Sequence, residues 1–145
     1  MARIELALPD NFLFETEVDV RITDITDAGH LGNDRVLALI HEARARFFRH
    51  HGLAELNIDG RGIIVADAAV VYRAEAFFGD RLRIQMAGQD FNKYGCDLVF
   101  RITNVANGRE IARAKTGIAF FDYTSRRIAT APARFCQLFP NCCGC

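Results

Sequence analysis

Serine is almost missing from this chain of 145 residues: Ser125 stands alone, followed by Arg126 and Arg127, and no G-x-S-x-G surrounds it. A hydrolase built on the serine nucleophile elbow, where a strand-turn-helix exposes the hydroxyl, is thereby excluded. Lysine is scarce too, with Lys93 and Lys115 set against sixteen arginines. Coding bias explains that split most simply; the alternative is guanidinium recognition of phosphate or carboxylate. No segment approaches the ~20 consecutive apolar residues of a membrane-spanning helix. The stretch Met1-Ala2-Arg3-Ile4-Glu5 lacks the apolar core of a secretory signal. A cytoplasmic protein without a membrane partner is expected. Excess charge of either sign is lacking as well, since eighteen basic residues balance eighteen acidic ones, so no net field draws nucleic acid.

Five cysteines make an odd count: Cys96 falls in a strand-like run, Cys136 in a helical one, and Cys142, Cys143 and Cys145 crowd the last four positions. Neighbouring cysteines make a poor disulfide framework, so free thiols in a reducing compartment are expected. A metal role for Cys142-Cys143-Gly144-Cys145 lacks the distant Cys or His pair that four-ligand spacing requires.

What is present reads as one globular domain over residues 1–145, half apolar and a quarter charged. Residues 15–23 alternate Glu17, Asp19 and Arg21 with Val18, Val20 and Ile22, the period of a half-buried strand. Residues 34–51 carry Val36, Ile40, Ala43 and Phe47 at helical spacing, with Asn33 or Asp34 as N-cap and Gly52 as stop. Four strand-like runs follow, at 63–72, 81–87, 94–104 and 111–121, with Asn107-Gly108 as a hairpin turn. Residues 131–139 read as a short terminal helix. The expected class is α+β, an antiparallel sheet of about five strands wrapped around one long central helix. One helix leaves sheet edges open, so a homo-oligomer is expected.

The polar cluster before and within the helix, Asp24, Asp27, His30, Asn33, Asp34, His41 and Glu42, is the candidate site. Gly29 and Gly32 allow close approach of backbone to a ligand, and a helix N-terminus suits a developing oxyanion. A carboxylate there attacks a carbonyl or activates water. An ordinary capped helix start explains the same residue types. Asp24, Asp27 and His30 match no standard metal motif. Asp67, an acid inside an apolar run, is expected at a bulge, bonded to an arginine or to backbone. His50-His51 reads as favourable charge at a helix C-terminus. The pairs Phe47-Phe48, Phe77-Phe78 and Phe120-Phe121 read as core, and such walls also suit an acyl group.

Residues 24–33 (D-I-T-D-A-G-H-L-G-N), followed by Ile40-His41-Glu42-Ala43-Arg44, resemble the acyl-CoA thioesterases of the 4-hydroxybenzoyl-CoA thioesterase type. That family carries a D-T-D-x-x-G-H-V-N-N loop leading into a helix with an E-x-A-R-like segment. Residues 72–82 resemble its Y-x-x-P-x-x-x-G-D-x-L connection, with Glu75 or Ala76 in place of proline. The likeness spans about residues 15–125, leaving 126–145 as a C-terminal extension, and implies the hotdog fold. It implies an acyl-CoA thioesterase acting on an acyl- or aroyl-CoA, with no cofactor beyond the coenzyme A of the substrate. The usual catalytic aspartate, counted back from Gly29, falls on Thr26; matched forward from Thr26 it falls on Asp27, with Asp24 as the family's first aspartate. His30 and Asn33 match positions that orient substrate or water, and Glu42 matches the helix acid. Backbone near Gly32 and Asn33 holds the oxyanion, and Arg126 and Arg127 are candidates for the CoA phosphates. The resemblance implies a homodimer or homotetramer. The alternatives are a non-catalytic hotdog module that binds acyl-CoA and, less favoured, a hydro-lyase.

Overall fold

The computed structural model describes residues 2–142. Its elements are β1 (Phe14–Asp19), a 3-10 turn (Ile22–Asp24), α1 (Asn33–His50), β2 (Gly62–Tyr72), β3 (Arg81–Gln89), β4 (Gly95–Asn104), β5 (Glu110–Asp122), β6 (Arg127–Ala129) and α2 (Ala133–Cys136). All strand pairs are antiparallel. The sheet runs β1-β3-β4-β5-β2, with β6 paired to β5. The expected five strands are joined by this sixth, a three-residue return that pairs with residues 120–122 of β5.

Alternation along the strands decides which face meets the helix. Leu82, Ile84 and Met86 of β3 and Leu98, Phe100 and Ile102 of β4 are fully buried, as are Ile40, Ala43 and Phe47 of α1. Register aligns Met86, Phe100, Ala114 and Val70 in one row across the sheet, and Ile84, Ile102 and Ala112 in the next. The small Ala112 and Ala114 leave a trough for the bulkier side chains of α1. The opposite face carries the arginines: Arg81 and Arg83 pair with Glu15, Glu17 and Asp19, while Arg73, Arg101 and Arg113 converge on Glu110. Much of the arginine surplus is thus a charged outer face to the sheet.

Several expectations need correction. Cys136 and Cys142 are not free thiols but a disulfide, with Cα atoms 5.7 Å apart. Phe135 and Phe139 are buried against Phe48, Phe120, Phe47 and Phe91, which holds the segment after α2 folded back on itself. Cys96 is a buried free thiol; Cys143 and Cys145 lie outside the described residues. Phe77 and Phe78, in the β2–β3 connection, are exposed rather than core. Asp67 does sit at a bulge and accepts from the Gly117 N–H at 3.0 Å, but its charged partner is Lys115 at 2.7 Å, not an arginine. The His51 ring lies edge-on to Phe47, and burial, then the neighbouring His50, push its pKa down, which weakens the favourable charge expected at this helix end. Among the described residues no helix is long and apolar enough to cross a membrane.

One ion pair, with a buried carboxylate and an exposed guanidinium, positions the loop before α1. The Asp24 side chain is only 2% exposed and accepts from the Arg21 backbone N–H at 2.9 Å and from its guanidinium at 3.2 and 3.3 Å. Burial pushes the Asp24 carboxyl up, but these Arg21 bonds, helped by Arg35, outweigh it and hold the pKa below the usual carboxylate value. Its stabilisation is therefore present above the ordinary carboxylate range and is lost as pH falls through the lowered folded value.

Two outcomes follow. Phe47→Ala, which empties the middle of the core, costs about 3–5 kcal/mol in urea unfolding. Asp24→Asn costs about 1–3 kcal/mol at neutral pH, and the gap in melting temperature from wild type narrows as pH falls through and below the carboxylate range.

Candidate active site at the start of the long helix

The loop of residues 24–32 folds as a tight turn for reasons local to its sequence. Gly29 takes φ +86° and donates its N–H to the Thr26 carbonyl at 2.9 Å, a conformation that favours glycine. Thr26 donates both its N–H and its hydroxyl to the His30 carbonyl, at 3.0 and 3.4 Å. Two further bonds moor the turn: Leu31 N–H to Ala76 carbonyl at 2.8 Å, and Gly32 N–H to Asp24 carbonyl at 3.0 Å. Gly32 is required by space, since a Cβ there would stand 2.6 Å from Asp34 Oδ1 and 2.8 Å from Thr26 Cγ2.

Helix α1 thus begins against the β2–β3 connection. Its N-cap is Gly32, which supplies no side-chain cap; neither Asn33 nor Asp34 fills that place, and Asn33 Oδ1 instead accepts from the Asp34 N–H at 2.9 Å. The Arg35 N–H is taken by the Gly32 carbonyl. The Asn33 N–H meets no acceptor among the described residues. It is a free donor at the positive end of the helix dipole. A cavity of ≈ 180 Å³ opens here, lined by His30, Leu31, Asn33, Val36, Tyr72, Ala74, Glu75 and Ile111. The Tyr72 hydroxyl donates to the Asn33 carbonyl at 2.8 Å, and His30 Nδ1 lies 3.1 Å from the Leu31 carbonyl.

Of the residues singled out in the sequence, the structure brings His30 and Asn33 together at this cavity and sets the others elsewhere. Gly32 lies beneath it, its N–H consumed by Asp24. Asp24 is buried in its pair with Arg21. Asp27 is exposed on the turn and does not line the cavity. Glu42 lies nine residues further along α1, about 13 Å at helical rise. It pairs with Arg46 at 2.8 Å and lines a separate ≈ 380 Å³ cleft with Glu17, Asp19, Arg21 and Arg81. Arg126 and Arg127 sit at the β5–β6 turn, near the Gly62 end of β2, whereas the cavity lies at its Tyr72 end. Ten residues of strand, about 33 Å, separate the two ends.

Two lining residues went unassigned at the level of sequence. Tyr72 and Glu75 lie in the 72–82 stretch that carried the family likeness, yet nothing in their spacing told that the connection folds over the helix start. Among the described residues no group of His, Cys, Asp and Glu is placed to hold a metal ion.

Residues 20–139 match the family model of the thioesterase-like superfamily, so the likeness reaches past residue 125 and takes in α2. No curated protein matches the sequence. The chain superposes on the crystal structure of a 1,4-dihydroxy-2-naphthoyl-CoA thioesterase from Synechocystis with a TM-score of 0.81 at 21% identity, covering 88% of this chain and 96% of that one. A gentisyl-coenzyme A thioesterase gives 0.77 at 18% identity, over 87% of this chain and 99% of that one. A hypothetical protein from Staphylococcus aureus, solved in complex with CoA, gives 0.78 at 16%, over 92% and 85%. These likenesses establish the architecture, a sheet curled about one helix, as the hotdog fold. By its sequence match over residues 20–139, this chain belongs to the thioesterase-like superfamily.

Proposed function

We propose that the protein is a cytoplasmic acyl-CoA thioesterase, hydrolysing an acyl- or aroyl-CoA to the free acid and CoA. The observation that carries this reading is the unpaired Asn33 N–H at the start of α1, at the wall of a cavity sized for the reacting end of an acyl group. A thioester carbonyl seated there turns its oxygen toward that N–H, and charge developing on it in the tetrahedral intermediate meets a fixed donor and the helix dipole. Gly32 keeps the approach open, and the Asp24–Arg21 pair with Glu42 beside it keeps the loop in place.

A second copy of the chain completes the site. Strand β2 is an eleven-residue sheet edge with Val65 47% exposed and Ala66 and Ala68 exposed beside it. Such an edge invites pairing with another strand. Antiparallel pairing of two β2 strands about a two-fold axis sets the Gly62 end of one against the Tyr72 end of the other. The partner's Arg126 and Arg127 then stand near this chain's cavity, where the CoA phosphates would lie.

One observation favours a second reading, a hotdog module that binds acyl-CoA without turning it over: Asp27, onto which the family's aspartate falls when matched forward, does not line the cavity, and the position counted back from Gly29 is Thr26. A panel of acyl-CoAs of graded chain length and aromatic acyl groups, assayed for thiol release, separates the two. Hydrolysis of at least one thioester is expected; tight binding with no thiol released from any would sink the enzyme reading. The oligomer has its own test. Wild type is expected to sediment at twice the chain mass or more, whereas Val65→Lys with Ala68→Lys gives a folded monomer that has lost most of its turnover. A monomeric wild type with full activity would overturn the shared site.

A further inference from the structure

The thioester reading needs a group to take the proton of the attacking water, and within one protomer neither Asp24 nor Asp27 lines the cavity. Asp24 is spent on Arg21 beneath the loop, and Asp27 points from an exposed turn that forms no wall of the cavity. His30 is placed differently. Its Nδ1 lies 3.1 Å from the Leu31 carbonyl oxygen. A carbonyl only accepts, so the neutral ring carries its proton on Nδ1 and leaves Nε2 with a free lone pair. The ring is partly buried and forms part of the cavity wall with Asn33, Tyr72 and Glu75. The Glu75 carboxylate has no hydrogen-bond or ion-pair partner among the described residues, so it is free to answer a charge that develops in the cavity.

We propose that His30 is the general base of this site, Nε2 receiving the proton of the attacking water, with Glu75 stabilising the imidazolium that results. The water oxygen bonds to the thioester carbonyl carbon as its proton passes to Nε2, and the carbonyl electrons move onto the oxyanion at the Asn33 N–H. The tetrahedral intermediate then collapses, the C–S bond breaks, and the departing sulfur takes the proton from Nε2. The products are the acid and CoA, with the histidine returned to its neutral tautomer. This assignment rests on the thioesterase reading.

The test uses the full chain with whichever acyl-CoA the wild type hydrolyses fastest. His30→Asn keeps an amide able to donate to the Leu31 carbonyl but removes the base; kcat is expected to fall about 10²–10⁴-fold with KM within about threefold. Added imidazole is expected to restore turnover to folded His30→Ala, a rescue that a merely structural histidine does not show. Glu75→Gln is expected to lower kcat by about tenfold, less than His30→Asn does. If His30→Asn retains kcat within threefold, if imidazole fails to restore folded His30→Ala, or if Asp27→Asn or Glu75→Gln costs more than His30→Asn, the assignment is overturned while the thioesterase reading stands. A wild type that releases no thiol from any acyl-CoA ends both.

Discussion

The structure depends on one helix filling the concave side of a sheet of six strands. Phe47 and Ile40 are fully buried in one core with the inward-facing residues of β3, β4 and β5, where the small Ala112 and Ala114 pair with Ile102 and Phe100. Close packing of this kind fixes the helix axially as well as laterally, since each buried side chain has one hole to fill. The start of the helix is thereby held at the end of the sheet where β2 turns toward β3. There the Asn33 N–H, which the helix cannot satisfy internally, stands at a cavity shared with Tyr72 and Glu75. Core packing and site geometry are in this sense one constraint: moving α1 by a turn would carry Asn33 away from the cavity.

Charge is organised around that frame on two scales. On the outer face of the sheet, arginines alternate with carboxylates in exposed pairs that each contribute little but keep the face soluble. Under the loop, the Asp24–Arg21 pair is of another kind. Its carboxylate is buried and satisfied from backbone and guanidinium together, while Arg21 stays largely in solvent, so removing Arg21 leaves a costly buried charge. This side-chain pairing explains why an aspartate stands there whatever the chemistry of the cavity.

Much of the fold was legible in the chain. The period-two runs, the apolar stripe from Val36 to Phe47 and the Asn107-Gly108 turn each report a local conformation, and the structure has them within one or two residues of the expected bounds, except that the first run, expected over 15–23, ends at Asp19 and gives way to the 3-10 turn at Ile22–Asp24. The errors share a cause. The disulfide between Cys136 and Cys142, the exposure of Phe77 and Phe78 and the lysine partner of Asp67 all depend on which segments lie side by side after folding. Asp24 and Asp27 differ little as residue types in a turn. Only the bond to Arg21 buries one, and only the direction of the turn at Gly29 leaves the other in solvent.

By itself the sequence determined the class, one amphipathic helix with a meander of strands, and the membership of a thioesterase-like family, because periodicity and motif are properties of neighbours along the chain. It determined also that any hydrolytic group had to be other than serine. Tertiary structure decided which of the loop's polar residues share a cavity: it kept His30 and Asn33, moved Asp24, Asp27 and Glu42 aside, and brought in Tyr72 and Glu75 from forty residues away. The physical reason is that a site is a set of distances, and the antiparallel register and the seating of one helix set those distances through contacts that no local pattern records.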